Sequence, residues 1–172
     1  AVTAGGAGGV VIQQEGTVRN RLRNGAAVEA EYRVPMAYHA HFEPMTAVAD
    51  VKNGAAQIYT STQAAVSVRG DVAKALGLDA KTVVVNQAYL GAGLGHKVET
   101  QAAVEAARLS KAAGRPVHLV WSRAEDFQNS FVRPPTHHIL RASLTSDGHI
   151  AALVHEQSSG KVALPFLPAI AG

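Results

Sequence analysis

Apolar and polar residues alternate from Val28 onward: Val28, Ala30, Tyr32 and Val34 fall on one side, Glu29, Glu31 and Arg33 on the other. A period of two predicts a half-buried strand, and Pro35 ends it. Two β-rich runs follow, 46–51 and 57–60, joined through Lys52-Asn53-Gly54, and Asn-Gly between such runs predicts a hairpin. The spacing then changes to that of a helix over 65–76, with Val68, Val72, Ala75 and Leu76 on one stripe and Gly77 as its stop. Residues 83–89 read as a strand, and Val83, Val84 and Val85 predict burial on both its faces. A glycine-rich turn separates it from a second helix over 98–113, whose alanines, Val104 and Leu109 form a packing face before Gly114. A strand over 117–121 comes next. Residues 141–146 and 149–158 then make a second hairpin across Asp147-Gly148.

The order is strand, hairpin, helix, strand, helix, strand, hairpin. It predicts an α+β domain of two layers, a mixed sheet with helices on one face, containing two strand–helix–strand units. Residues 1–27 begin Gly/Ala-rich and read as a flexible lead-in, 28–160 as the domain, and 161–172 as a tail. An Ala at the start and an apolar end predict a processed chain or a piece of a longer one.

Composition changes this picture mainly by exclusion. The 172 residues are 47% hydrophobic and 17% charged, enough for a core of ordinary soluble character. The net charge of +3 is scattered, so nothing marks a nucleic-acid surface. No apolar run reaches membrane-spanning length. The absence of cysteine rules out disulfides, cysteine-held zinc and a cysteine-ligated iron–sulfur cluster within these residues. Nothing here marks a cellular compartment.

The candidate chemistry centres on the turn Gly91-Ala92-Gly93-Leu94-Gly95-His96-Lys97. Glycines at alternate positions let backbone N–H groups approach a ligand closely, and a following helix start favours an anion. A tight strand-to-helix turn needs the same glycines. As a dinucleotide fingerprint the turn has the wrong spacing, GxGxG, although Ser122-Arg123 closes the next strand where a 2′-phosphate could be read. As a phosphate loop it lacks the glycine before Lys97 and the Ser or Thr after it.

Other groups are weaker. His39, His41 and Glu43 would share a face of an extended segment and could converge on a metal, but a surface histidine pair beside a solvated glutamate reads better. His137 and His138 read as loop or edge residues facing opposite ways. Ser61 and Thr62 suit a helix N-cap, and Gln63 could project its amide into a pocket there. Arg123 could pair with Asp126 or approach an anion, and a structural role reads better.

Taken in series, the segments resemble the molybdenum-binding large subunit of the xanthine dehydrogenase and aldehyde oxidase family, nearest its isoquinoline 1-oxidoreductase branch. The resemblance rests on residues 38–45 (YHAHFEPM), Thr62-Gln63, residues 72–78 (VAKALGL) and residues 89–95 (YLGAGLG). It continues through residues 114–117 (GRPV), residues 121–126 (WSRAED) and Arg133-Pro134, in matching order from about Val28 to about Gly160. It implies the fold of a molybdenum cofactor-binding domain and a molybdenum–molybdopterin cofactor, in bacteria usually the cytosine dinucleotide form. It also implies hydroxylation of aldehydes or N-heteroaromatics with oxygen from water.

By that resemblance Gln63 faces the metal's oxo ligand, and the main chain of Gly91, Ala92, Gly93, Leu94 and Gly95 lies against the cofactor. The cofactor would be shared with the rest of the large subunit or a second molybdenum-binding chain. An iron–sulfur [2Fe-2S] small subunit would carry the electrons, since this chain has no cysteine. No catalytic residue and no metal ligand is assigned within the chain. The family's general-base glutamate belongs to a later motif absent here, so the isolated chain is expected to be inactive. Two departures stand out: Ala92 and Leu94 replace the second Gly and the Phe of the usual Gly-Gly-Gly-Phe-Gly. Val98 stands where the xanthine branch places a substrate-binding glutamate, with Glu99 next to it. Two other classes stay open at this point: a structural or interaction domain that keeps the fold and binds nothing, and an NADP-binding unit.

Overall fold

The computed structural model describes residues 11, 13–18, 22 and 27–160. Most of the 1–27 lead-in and all of the 161–172 tail lie outside them. The chain divides into two units, Tyr38–Val132 and the flanking segments up to Ala37 and from Arg133.

Tyr38–Val132 contains a four-stranded mixed sheet. Its strands are β2 (Thr46–Lys52), β3 (Ala55–Thr60), β4 (Val83–Gln87) and β5 (Val117–Val120), in the order β4-β3-β2-β5. β2 runs antiparallel to β3 and β5, while β3 and β4 are parallel. The Asn53-Gly54 turn forms as expected. Lys52 pairs with Ala55, and both turn residues have positive φ, 50° and 74°, so the turn follows the strands' right-handed twist.

Helices α1 (Ala65–Leu76) and α2 (Gln101–Ala113) cover one sheet face. The core joins Ala47, Ala49, Ala56, Ile58 and Val83 of the sheet to Val68, Val72 and Leu76 of α1 and Ala103, Ala106 and Ala107 of α2. Alanines on both sides bring helix and sheet backbones close. Gly77 ends α1 at φ 69°, and Leu78 N–H returns to the Ala73 carbonyl at 2.9 Å. A short third helix, α3 (Arg123–Asn129), starts with a capping box between Ser122 and Glu125. The expected two layers are present.

Three local expectations change. β4 stops at Gln87 and is an edge strand buried on one side, with Val84 45% exposed. Three consecutive valines therefore mark β propensity here, not double-sided burial. The second helix does not begin at Val98. A 3₁₀ turn (His96–Val98) comes first, and α2 starts at Gln101. Its packing face is also rotated: Leu109 is exposed, and Ser110 is fully buried instead. The Ser110 hydroxyl accepts from Val51 N–H and donates to the Arg115 carbonyl, both at 2.9 Å, so it is fully satisfied.

The flanking unit is an antiparallel sheet of β1 (Ala27–Val34), β6 (Thr136–Leu144) and β7 (Ile150–Ser159), in the order β1-β6-β7. The strands thus form two sheets. The second expected hairpin is β6–β7, closed around Gly148 at φ 86°. β1 alternates as expected, yet Val28, Tyr32 and Val34 are about half exposed. His137 and His138 do face opposite ways, but from the central strand, where His137 is buried and meets Glu31 at 2.9 Å.

Candidate cofactor-binding site

The glycine turn is anchored from below by a buried lysine. Lys97 is fully buried, and its Nζ donates to Glu43 Oε2 and to Ser61 Oγ. Glu43 Oε2 also accepts from Ser61 Oγ at 2.8 Å and from Gly91 N–H at 3.2 Å, and Glu43 N–H returns to the Gly91 carbonyl. Burial raises the Glu43 pKa, but the hydrogen bonds from Lys97, Ser61 and Gly91 outweigh it and leave the carboxyl below its ordinary value. The Lys97 carbonyl accepts from Gln63 N–H at 2.8 Å and Thr62 Oγ1 at 3.1 Å. One residue thereby ties the turn to the segment between β3 and α1.

This anchoring sets Gln63 beside the turn. A Cβ on Gly93 would stand 2.4 Å from Gln63 Oε1, and one on Gly91 would stand 2.6 Å from Glu43 Cβ. Gly91 is required by its approach to Glu43 Cβ, and Gly93 leaves the space that the Gln63 amide occupies. The turn itself winds through positive φ at Ala92 (61°), Leu94 (50°) and Gly95 (91°). Among the described residues, none accepts a hydrogen bond from the backbone N–H of Ala92, Gly93, Leu94 or Gly95, and none pairs with the exposed Gln63 carboxamide. Four uncommitted main-chain donors and one uncommitted amide therefore lie together, which suits an oxygen-rich anionic group. The helix start is not among them, since α2 begins six residues beyond Gly95. Ser61 and Thr62 do not N-cap α1. Its N-cap is Ala64, whose N–H reaches Thr62 Oγ1 at 3.0 Å, and Ser61 serves the lysine instead.

A second polar cluster lies in the same unit. His39, His41 and Glu43 neither converge nor form a surface pair, because Ala40 at φ 46° breaks the extended run and Glu43 turns to Lys97. His41 is 1% exposed and packs against His96, ring centroids 4.6 Å apart. Burial pushes the His41 imidazole below its ordinary pKa; Asp126 raises it, while His96, Lys97 and Arg123 lower it further. Arg123 is structural, as expected: it holds Asp126 Oδ2 at 3.0 Å and the carbonyls of His41 and Phe42 at 2.6 and 3.0 Å. Sequence reasoning missed Lys97, His96, Glu99 and Asp126 as site-building residues. The run of polar side chains next to the glycines could have pointed to His96, Lys97 and Glu99; nothing local points to Asp126.

The sequence matches the family model of the molybdopterin cofactor-binding domain over residues 6–164. The chain belongs to that family. It is 28% identical to a membrane-bound aldehyde dehydrogenase (pyrroloquinoline-quinone) of Gluconacetobacter polyoxogenes, over 90% of this chain and 20% of the relative. It is 31% identical to the aldehyde oxidoreductase molybdenum-binding subunit PaoC of Escherichia coli strain K12, over 78% of this chain and 19% of that subunit. The aldehyde oxidoreductase of Desulfovibrio gigas shares the fold with a TM-score of 0.64 at 22% identity, over 81% of this chain and 16% of that one. The chain thus spans about a fifth of the length of these curated relatives. Within this molybdopterin cofactor-binding domain, Gln63 and the glycine turn bring the uncommitted donors together.

Proposed function

We propose that this chain forms one wall of the molybdenum–molybdopterin site of a molybdenum hydroxylase, with residues outside it completing the site. The carrying observation is the uncommitted Gln63 carboxamide beside the free N–H groups of Ala92, Gly93, Leu94 and Gly95. Gln63 orients a neutral donor toward cofactor oxygen, and the turn solvates negative charge with main-chain amides instead of cations. When bound, the cofactor supplies two-electron oxidation coupled to oxygen transfer from water. The chain's own part is binding and orientation. Lys97, Glu43 and Ser61 keep the turn rigid, as preorganised donors require.

The substrate class is aldehydes or N-heteroaromatics, with aldehydes favoured by the names of both relatives. The general base, the cytosine dinucleotide portion of the site and a [2Fe-2S] partner lie outside these residues, so the isolated chain turns nothing over. The exposed Tyr89 and Leu94 at the turn, 100% and 65% accessible, fit a surface that the rest of the subunit covers.

The test is the assembled enzyme with Gln63→Ala. Molybdenum and pterin should be present in the wild type, with pyrroloquinoline quinone absent. The variant should assemble with far lower aldehyde turnover. Wild-type assembly without molybdenum, or unchanged turnover in the variant, would overturn the reading.

A further inference from the structure

We propose that His41, His96 and Asp126 hold a zinc ion beneath the segment that follows the glycine turn. All three side chains are at most 2% exposed, and their ligand atoms lie within 4.8 Å of one another. Asp126 Oδ1 stands 3.5 Å from His96 Nε2 and 3.7 Å from His41 Nε2. Those separations are too long for hydrogen bonds and near the roughly 3.3 Å edge of a tetrahedron with Zn–N and Zn–O bonds of about 2.0 Å.

The surrounding contacts leave the right lone pairs free. Among the described residues, neither His41 ring nitrogen nor Asp126 Oδ1 has a hydrogen-bond partner. Arg123 occupies the other Asp126 oxygen and fastens the His41 carbonyl, so it fixes both groups without filling the gap between them. Glu99 Oε1 lies 3.1 Å from His96 Nδ1 without a hydrogen bond between them, and a small ring rotation would make the carboxylate–histidine contact that directs the opposite nitrogen toward a metal. The Ser130 hydroxyl donates to the Asp126 carbonyl, so its lone pairs face His96 Nε2 at 3.0 Å. It supplies the fourth, oxygen donor. Two imidazoles and two oxygens form an N2O2 set suited to zinc over calcium or magnesium. Two cations, Lys97 and Arg123, also face His41, and Lys97 is neutralised by its own partner Glu43.

The experiment is metal analysis of the purified assembly containing this chain, followed by chelator treatment and titration with Co²⁺ alone. The wild type should carry one zinc per chain, and Co²⁺ should give the visible ligand-field absorption of a tetrahedral site. His41→Ala and Asp126→Asn should each lose both signals, while Glu99→Gln should weaken Co²⁺ binding by about tenfold. No zinc together with no tetrahedral Co²⁺ absorption in the wild type would overturn the proposal. So would unchanged signals in Asp126→Asn. Should His41→Ala fail to fold, the wild-type spectrum and the nearly isosteric Asp126→Asn decide. Molybdenum measured on the same samples reports on the proposed function separately, so either reading can fail alone.

Discussion

Gly93 and Gln63 pack at a distance that admits no side chain on the glycine: a Cβ there would meet Gln63 Oε1 at 2.4 Å. A methyl group at 93 therefore has to push the Gln63 amide aside or move the turn. Gly93→Ala should leave the fold intact, since Gln63 is exposed and free to swing outward. In the assembled enzyme it should lower kcat/KM by about a hundredfold, the effect of displacing a positioning group by an ångström. Steady-state kinetics beside a circular dichroism melt check this, and kcat/KM within threefold of wild type would sink the assignment of Gln63.

The Lys97–Glu43 pair is asymmetric, because Lys97 is fully buried while the Glu43 side chain is 35% exposed. Removing the glutamate's charge strands a lysine that cannot reach water; removing the lysine leaves a carboxylate that can. Glu43→Gln should therefore destabilise the purified chain by about 3 kcal/mol, and Lys97→Met by clearly less. The double variant should recover part of the larger loss. Urea denaturation of the four proteins measures this, and equal losses in the two single variants would contradict it.

The same carboxylate sets an acid limit. Its folded pKa lies below the unfolded value of 4.5, despite the opposing effect of burial, because Lys97, Ser61 and Gly91 favour the charged form. The unfolded state binds the proton more readily, so this stabilisation is complete above 4.5 and is lost as pH falls through the folded pKa. The stability gap between wild type and Glu43→Gln should be constant near neutral pH and shrink once the pH drops below that value. A gap unchanged into strong acid would show that the carboxylate's charge is not what matters.

Local signals carried most of the fold. Asn53-Gly54, Gly77 and Gly148 each stop or turn the chain where expected, since positive φ is a one-residue property visible in sequence. What stayed hidden depends on partners. The valines of β4 gave no sign that the strand is an edge, and the alternation of β1 could not reveal that its apolar side chains stay half exposed. At the candidate site, Gln63 and the glycine turn were singled out by position and spacing and then by resemblance, and their adjacency came only with the fold. His41 was misread because the single positive φ at Ala40, a non-glycine residue, breaks the extended run that the alternation assumed. Its partners His96 and Asp126 lie 55 and 85 positions further along, beyond any spacing rule.

Ala92 is the last departure with a measurable consequence. It replaces a glycine of the family pattern and sits at φ 61°, where a Cβ crowds the following carbonyl by about 1–2 kcal/mol. Glycine relieves that strain but gives the unfolded chain more freedom, worth about 0.4–1 kcal/mol in the opposite direction. The balance favours Ala92→Gly, which should stabilise the purified chain by up to about 1.6 kcal/mol, seen as a higher urea midpoint. In the assembled enzyme the substitution also clears a methyl group from the run of free amides at 92–95, so cofactor content should hold or rise. A fall in both stability and molybdenum content would mean that the alanine packs usefully in the complete site and that the turn is built around it.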